Sequence, residues 1–241
     1  MPSRRSATID MYQIIYTFVS KGRKQQPFFL ALRRWVKKKG KKYMLKVKVD
    51  VPTFFMEGIK NEKDDFLIAL INGYQGSSKT QFAIYNVEKN YRGYKIKTNI
   101  KSYDGELVGE VEHFTKLSDL YNDHELYCVY IIDEMSKKYT KNSPIDLDFY
   151  SWLQQSRKHH RVVFMIFQEY IQVPNWLRGV ANVSYVTHKV PLTPILITDL
   201  GKPVLDNETC EWGLDIFSKV IYKRTKKICS LYDTYETIDT L

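Results

Sequence analysis

Cysteine is scarce: Cys128, Cys210 and Cys229 are the only three in 241 residues, an odd number in no metal-binding spacing. That excludes a disulfide framework and a cysteine-based structural metal site, and it fits a reduced, cytosolic compartment. Long apolar runs are lacking too. They stop at strand length, as over 162–167, far short of the roughly 18 residues a membrane span requires. No long apolar stretch follows the opening Met1-Pro2-Ser3-Arg4-Arg5, so no secretory signal is expected. No internal repeat is present. Acidic residues are nearly missing from one region: residues 1–60 hold 3 Asp/Glu against 15 Lys/Arg.

What is there argues for a folded chain. Hydrophobic residues make up 44% and aromatics 14%, which excludes a disordered polymer. The length suits one domain with at most a small appendage. The formal charge is +10, and residues 1–60 alone carry +12 (15 − 3), leaving −2 for the remainder (22 − 24). Such a basic footprint suits a phosphate polymer or an anionic membrane surface. A solvated basic tail without a partner is the plainer alternative.

Residues 1–20 read as a basic arm followed by an apolar piece. Over 21–42, Lys and Arg alternate with Phe28, Phe29, Leu30, Leu32, Trp35 and Val36. Aromatics among cations can stack on bases while neutralising phosphates; the same residues also suit an amphipathic helix docked on a core. Over 43–51, Leu45, Val47, Val49 and Val51 alternate with Lys46, Lys48 and Asp50, which predicts a half-buried strand. Residues 1–60 are therefore expected to form a basic N-terminal extension, and 61–241 a domain of their own.

That domain begins with an apolar run over 66–71, then Asn72-Gly73-Tyr74-Gln75-Gly76-Ser77-Ser78-Lys79-Thr80, then a helix-like segment. Strand, tight polar loop ending in Lys-Thr, and helix form the context of a phosphate-binding loop. Gly73 and Gly76 let successive N–H groups face inward as an anion nest, and the helix N-terminus adds positive potential. The loop residues Gly73 through Thr80, with Tyr74, Gln75, Ser77 and Ser78 between, would cradle the phosphates. Lys79 would reach the β and γ phosphates and Thr80 would hold Mg²⁺. One residue departs from the pattern G-x-x-x-x-G-K-[ST]. Ser78 stands where glycine is usual: either the loop tolerates its Cβ, or the Cβ crowds the phosphates or restricts the loop.

Further on, strands are expected over 94–100, 127–132, 161–167 and 183–189, and helices over 80–90, 114–122 and 147–158. This alternation predicts an α/β fold with a parallel sheet between helical layers. The strand over 127–132 runs into Asp133-Glu134. Carboxylates at the carboxyl end of a buried parallel strand lie where such sheets bind ligands. Asp133 would hold the metal through water, and Glu134 would orient and deprotonate the attacking water. The pair would equally serve as an acidic helix start. Gln168, at the tip of the strand over 161–167, can contact the γ-phosphate or the attacking water. His159 and His160 are adjacent and so point apart, which makes a shared metal improbable.

Residues 66–80 and 129–134, and the block Trp152-Leu153-Gln154-Gln155-Ser156-Arg157-Lys158-His159-His160 with Gln168, resemble the FtsK–HerA superfamily of P-loop translocases. Within it they are most similar to zonular-occludens-toxin-like proteins and viral genome-packaging ATPases. Thr98-Asn99-Ile100 resembles a second-strand motif of that group, and Leu231-Tyr232-Asp233-Thr234-Tyr235-Glu236 a tail segment. The resemblance covers about 64–237.

It implies a three-layer P-loop NTPase domain, RecA/ASCE-like, with a mainly parallel central sheet. An extra strand would separate the P-loop strand from the Asp-Glu strand. It also implies ATP and Mg²⁺ as cofactors, Glu134 as catalytic base, Gln168 as sensor, and a homo-oligomeric ring, usually hexameric. In that ring an arginine enters the neighbour's site, with Arg157 the first candidate and Arg178 the second. The expected function is an ATP-driven DNA translocase that packages a viral genome, soluble in the host cytoplasm or attached to the virion, with capsid vertex proteins as further partners. A plasmid or conjugation pump, a filamentous-phage assembly ATPase and a non-hydrolysing nucleotide-gated DNA-binding module are the alternatives.

Overall fold

The computed structural model describes residues 66–105, 109–190, 193–223 and 229–233. The expected basic arm, aromatic–cationic segment and strand of residues 1–60 lie outside them.

Three apolar runs of the sequence become the three inner strands. They are β1 (Leu67–Asn72), β4 (Cys128–Ile132) and β5 (Val162–Ile166), and every residue in each is buried. They form part of an eight-stranded sheet in the order β3-β2-β4-β5-β1-β6-β7-β8. Its other strands are β2 (Lys95–Thr98), β3 (Val111–His113), β6 (Val183–Lys189), β7 (Ile195–Leu205) and β8 (Trp212–Lys223). All neighbours from β3 to β6 run parallel, whereas β6–β7 and β7–β8 are antiparallel.

Continuous apolar character is what a strand covered on both faces requires. Along β1 the period-two alternation divides the two faces. Leu67, Ala69 and Ile71 pack with Phe82, Ala83 and Val87 of helix α1 (Lys79–Asn90). Ile68 and Leu70 pack on the other face with Phe149, Trp152 and Leu153 of α2 (Leu147–Gln154) and Leu177 of α3 (Asn175–Val180). Each large aliphatic chain buried this way contributes about 1.5–3 kcal/mol. The loop after β1 is thus carried by a strand buried on both faces. β5 lies between β1 and β4, the intervening strand that the resemblance implies.

Local structure differs from expectation in several places, among them β3 and α3, which were not anticipated. The helix expected over 114–122 is one 3₁₀ turn, Leu117–Leu120, with both leucines buried. The Asp119 carboxylate accepts from the amides of Thr115 and Lys116 and pins the turn's start. The helix expected over 147–158 ends at Gln154 and tightens into a 3₁₀ turn, Gln155–Arg157. There the Arg161 amide bonds back to the Ser156 carbonyl and turns the chain into β5. The antiparallel hairpin β7–β8 was not anticipated. Its outer portion exposes Val204, Leu205, Ile216 and Phe217, so its apolar pattern has no buried face to follow.

Candidate nucleotide site

The loop between β1 and α1 is braced from both neighbouring strands. The Gly73 amide donates to the Gln168 carbonyl, just beyond β5, at 3.0 Å. From β6, the Thr187 hydroxyl bonds the Asn72 carbonyl at 3.2 Å and the Ser77 hydroxyl at 2.9 Å. Gly73 has φ 154°, and a Cβ there would lie 2.5 Å from Ser77 Oγ and 2.6 Å from the Thr187 carbonyl oxygen. Only glycine fits. Gly76 has φ 75° with no atom within 4 Å of an added Cβ, so its demand is conformational rather than steric. The Ser77 amide closes the turn onto the Tyr74 carbonyl, and the Tyr74 side chain is largely exposed.

Ser78 adopts the left-handed conformation, φ 66° and ψ 40°, at the N-cap of α1, and its side chain caps nothing. The departure from the glycine pattern therefore falls at a position whose backbone favours glycine. Lys79 Nζ donates to the carbonyls of Gly73 at 2.9 Å and Tyr74 at 3.3 Å. Burial lowers its pKa, and the charges of Asp133 and Glu134 oppose that shift.

The Thr80 hydroxyl donates to Asp133 Oδ2 at 2.6 Å, and Asp133 Oδ1 accepts the Glu134 amide at 2.7 Å. Burial is the main reason the Asp133 carboxyl rises to about 6, with the Thr80 and Glu134 hydrogen bonds acting against it. Glu134 has φ 58° and caps no helix through its side chain. The helix-start alternative holds in position only: Glu134 is the N-cap of a 3₁₀ turn, Met135–Lys137, without a side-chain cap bond. Gln168 is exposed at the end of β5. Its amide donates to Ser136 Oγ at 2.9 Å while its carbonyl holds Gly73. The ends of β1, β4 and β5 thereby bring the loop residues 73–80, Asp133, Glu134 and Gln168 to one edge of the sheet.

The arginines lie elsewhere. Arg157 is exposed in the turn that precedes β5, at the amino end of the parallel strands and opposite its own phosphate loop. It therefore lies away from the site formed by this chain. Arg178 is 4% exposed. It donates to the carbonyls of Tyr170 and Ile171, both at 2.9 Å, with its guanidinium 4.7 Å from the Tyr170 ring. In this structure the group braces the turn that follows β5. His159 stacks on His124 and His160 on Tyr127, so the adjacent imidazoles do diverge.

Sequence reasoning missed three supports. Thr187 and Ser136 are single hydroxyls with no local pattern. Asn99 had a signal, a polar residue ending a strand in Thr98-Asn99-Ile100, but its partner is remote in sequence. Its side chain bonds both the amide and the carbonyl of Asp133.

This strand order, loop and strand-end acid pair define a RecA-like P-loop NTPase fold. No protein-family model and no curated protein matches the chain. Among solved structures, it is similar to the N-terminal domain of zonular occludens toxin from Neisseria meningitidis. That likeness has 19% identity and a TM-score of 0.52, covering 70% of this chain and 99% of the other. It shows a shared fold. Further neighbours are the genome packaging NTPase B204 from Sulfolobus turreted icosahedral virus 2, at 11% identity and TM-score 0.42 over 64% of this chain and 100% of the other. The RadB recombinase follows at 14% and 0.44 over 68% and 89%.

Proposed function

We propose that this chain is an ATPase that moves DNA, working in a homo-oligomeric ring that packages a viral genome. The observation that supports the ATPase part of this reading is the 2.6 Å hydrogen bond from Thr80 to Asp133. It joins the phosphate loop to the strand-end carboxylate, with Glu134 next in the chain. A hydroxyl and a carboxylate side by side are hard oxygen donors, and they fit Mg²⁺. Thr80 would hold the ion directly and Asp133 through water. When bound, Mg²⁺ neutralises phosphate charge.

The chain's own residues do the rest. Loop amides other than those of Gly73 and Ser77, which are bonded to the Gln168 and Tyr74 carbonyls, hold the phosphates together with the Lys79 ammonium. Glu134 takes the proton of the attacking water, and Gln168 contacts that water or the γ-phosphate. Arg157, remote from its own loop, acts in the neighbouring subunit's site. A finger supplied in this way raises phosphoryl-transfer rates about 10³–10⁵-fold, so an isolated subunit would hydrolyse ATP slowly. Residues 1–60, with their charge of +12 (15 − 3), grip DNA or dock on the capsid vertex. No helix of the described residues is long and apolar enough to cross a membrane.

Two variants test the chemistry. Lys79→Ala should lose ATP binding, whereas Glu134→Gln should bind ATP and fail to hydrolyse it, with DNA stimulating the wild type alone. Equal ATP affinity for wild type and Lys79→Ala would overturn the reading. Hydrolysis that persists in Glu134→Gln would remove Glu134 from its role.

A further inference from the structure

β2 ends at Thr98, whose hydroxyl accepts the Ile100 amide at 3.1 Å. This local turn takes Asn99 out of the strand, with its side chain against the end of β4. β4 leaves the sheet at the same level, because its last ladder partners are Thr98 for Ile131 and Met165 for Ile132. The peptide groups of Asp133 thus lie one residue beyond the ladder. Asn99 supplies what the ladder no longer does: Oδ1 accepts the Asp133 amide at 2.8 Å, and Nδ2 donates to the Asp133 carbonyl at 3.0 Å. Both bonds are buried, and Asn99 is 4% exposed.

Immediately after this clamp the chain enters the left-handed region at Glu134. Such a conformation persists only where its surroundings fix it. Two residues later the Ser136 hydroxyl is tied to the Gln168 amide. Glu134 therefore projects from a short turn secured at both ends, by Asn99 from β2 and by the end of β5.

The geometry points to Asn99 as a positioning residue for hydrolysis, acting through the Asp133 backbone to hold Glu134 at the attacking water. This inference rests on Glu134 being the base. Only an amide of this length offers an acceptor and a donor spaced like a neighbouring strand's peptide. A displacement of about 1 Å in a reacting group can cost about 10²-fold in rate.

The test uses the full chain at saturating Mg-ATP with DNA. Asn99→Ala should lower kcat about 10²-fold and leave ATP affinity within about threefold, with a cooperative thermal transition retained. The isosteric Asn99→Asp, which loses the donor, should also be slow; it carries the test if Asn99→Ala does not fold. In a double-mutant cycle, Asn99→Ala should remove no more than about twofold from the residual rate of Glu134→Gln. A kcat within twofold of wild type in a folded Asn99 variant would overturn the inference. So would an affinity loss equal to the kcat loss, or the same fold-loss in both backgrounds. Wild-type hydrolysis by Glu134→Gln overturns the site reading first, and this inference with it.

Discussion

Ser78→Gly should make the protein more stable. The residue sits at φ 66° and ψ 40° with no hydrogen bond from its side chain to the helix it precedes. An L-residue in the left-handed well costs roughly 1–2 kcal/mol, and glycine pays nothing there. Glycine's larger unfolded-state freedom returns about 0.5–1 kcal/mol of that gain. Losing a serine N-cap to glycine costs only a few tenths of a kcal/mol in any case. The net gain is therefore about 0.5–1 kcal/mol, or about 1–4 °C in Tm for a chain of this size. Scanning calorimetry of the full chain measures it, with Ser78→Ala as a control that keeps the strain and should change little. ATP affinity of Ser78→Gly should be unchanged or higher. A fall in Tm would refute the strain argument. A tenfold loss of affinity, about 1.4 kcal/mol, would show that the serine hydroxyl itself contacts nucleotide.

Gly73→Ala should lose at least about tenfold in ATP affinity, because its Cβ would meet Ser77 and backbone at Thr187, and such overpacking costs about 1–3 kcal/mol; nucleotide titration reads it. Asp133→Asn should stabilise the metal-free protein above pH 6. The carboxyl rises from 3.8 to about 6 on folding, so the folded state holds its proton more tightly and loses stability as pH climbs from about 4 to about 6, by up to about 3 kcal/mol. Urea melts at pH 4.5 and 8 should show a clearly larger advantage at pH 8. Arg157→Ala should bind ATP normally yet hydrolyse slowly, and mixing it with Lys79→Ala subunits should restore activity through hybrid sites. ATPase measured across mixing ratios, with subunit exchange confirmed, checks this; no recovery would withdraw Arg157.

The inner strands and the phosphate loop were legible in the sequence because burial on two faces leaves an unbroken apolar run. The loop was legible because its backbone demands glycine at Gly73 and Gly76. Strand limits at 183–189 agree, those at 127–132 shift by one residue, and the apolar run over 66–71 becomes β1 at Leu67–Asn72. What escaped is long-range or one-sided. Asn99 meets Asp133, and Thr187 meets Ser77, across distances that no local pattern encodes. The β7–β8 hairpin escaped because its ladder runs past the core into solvent, where side-chain polarity stops reporting strand faces. Arg178 looked like an available cation from its neighbours in sequence, but its donors face carbonyls of the preceding turn.

The bracing of the phosphate loop by Thr187 has a mechanical side. Thr187 belongs to β6, and β6 is the first strand of an antiparallel run continuing through β7 into β8. The Thr187 hydroxyl touches the last carbonyl of β1 and the hydroxyl of Ser77. A displacement of the outer hairpin would therefore pass along β6 to these two contacts with the loop and the end of β1.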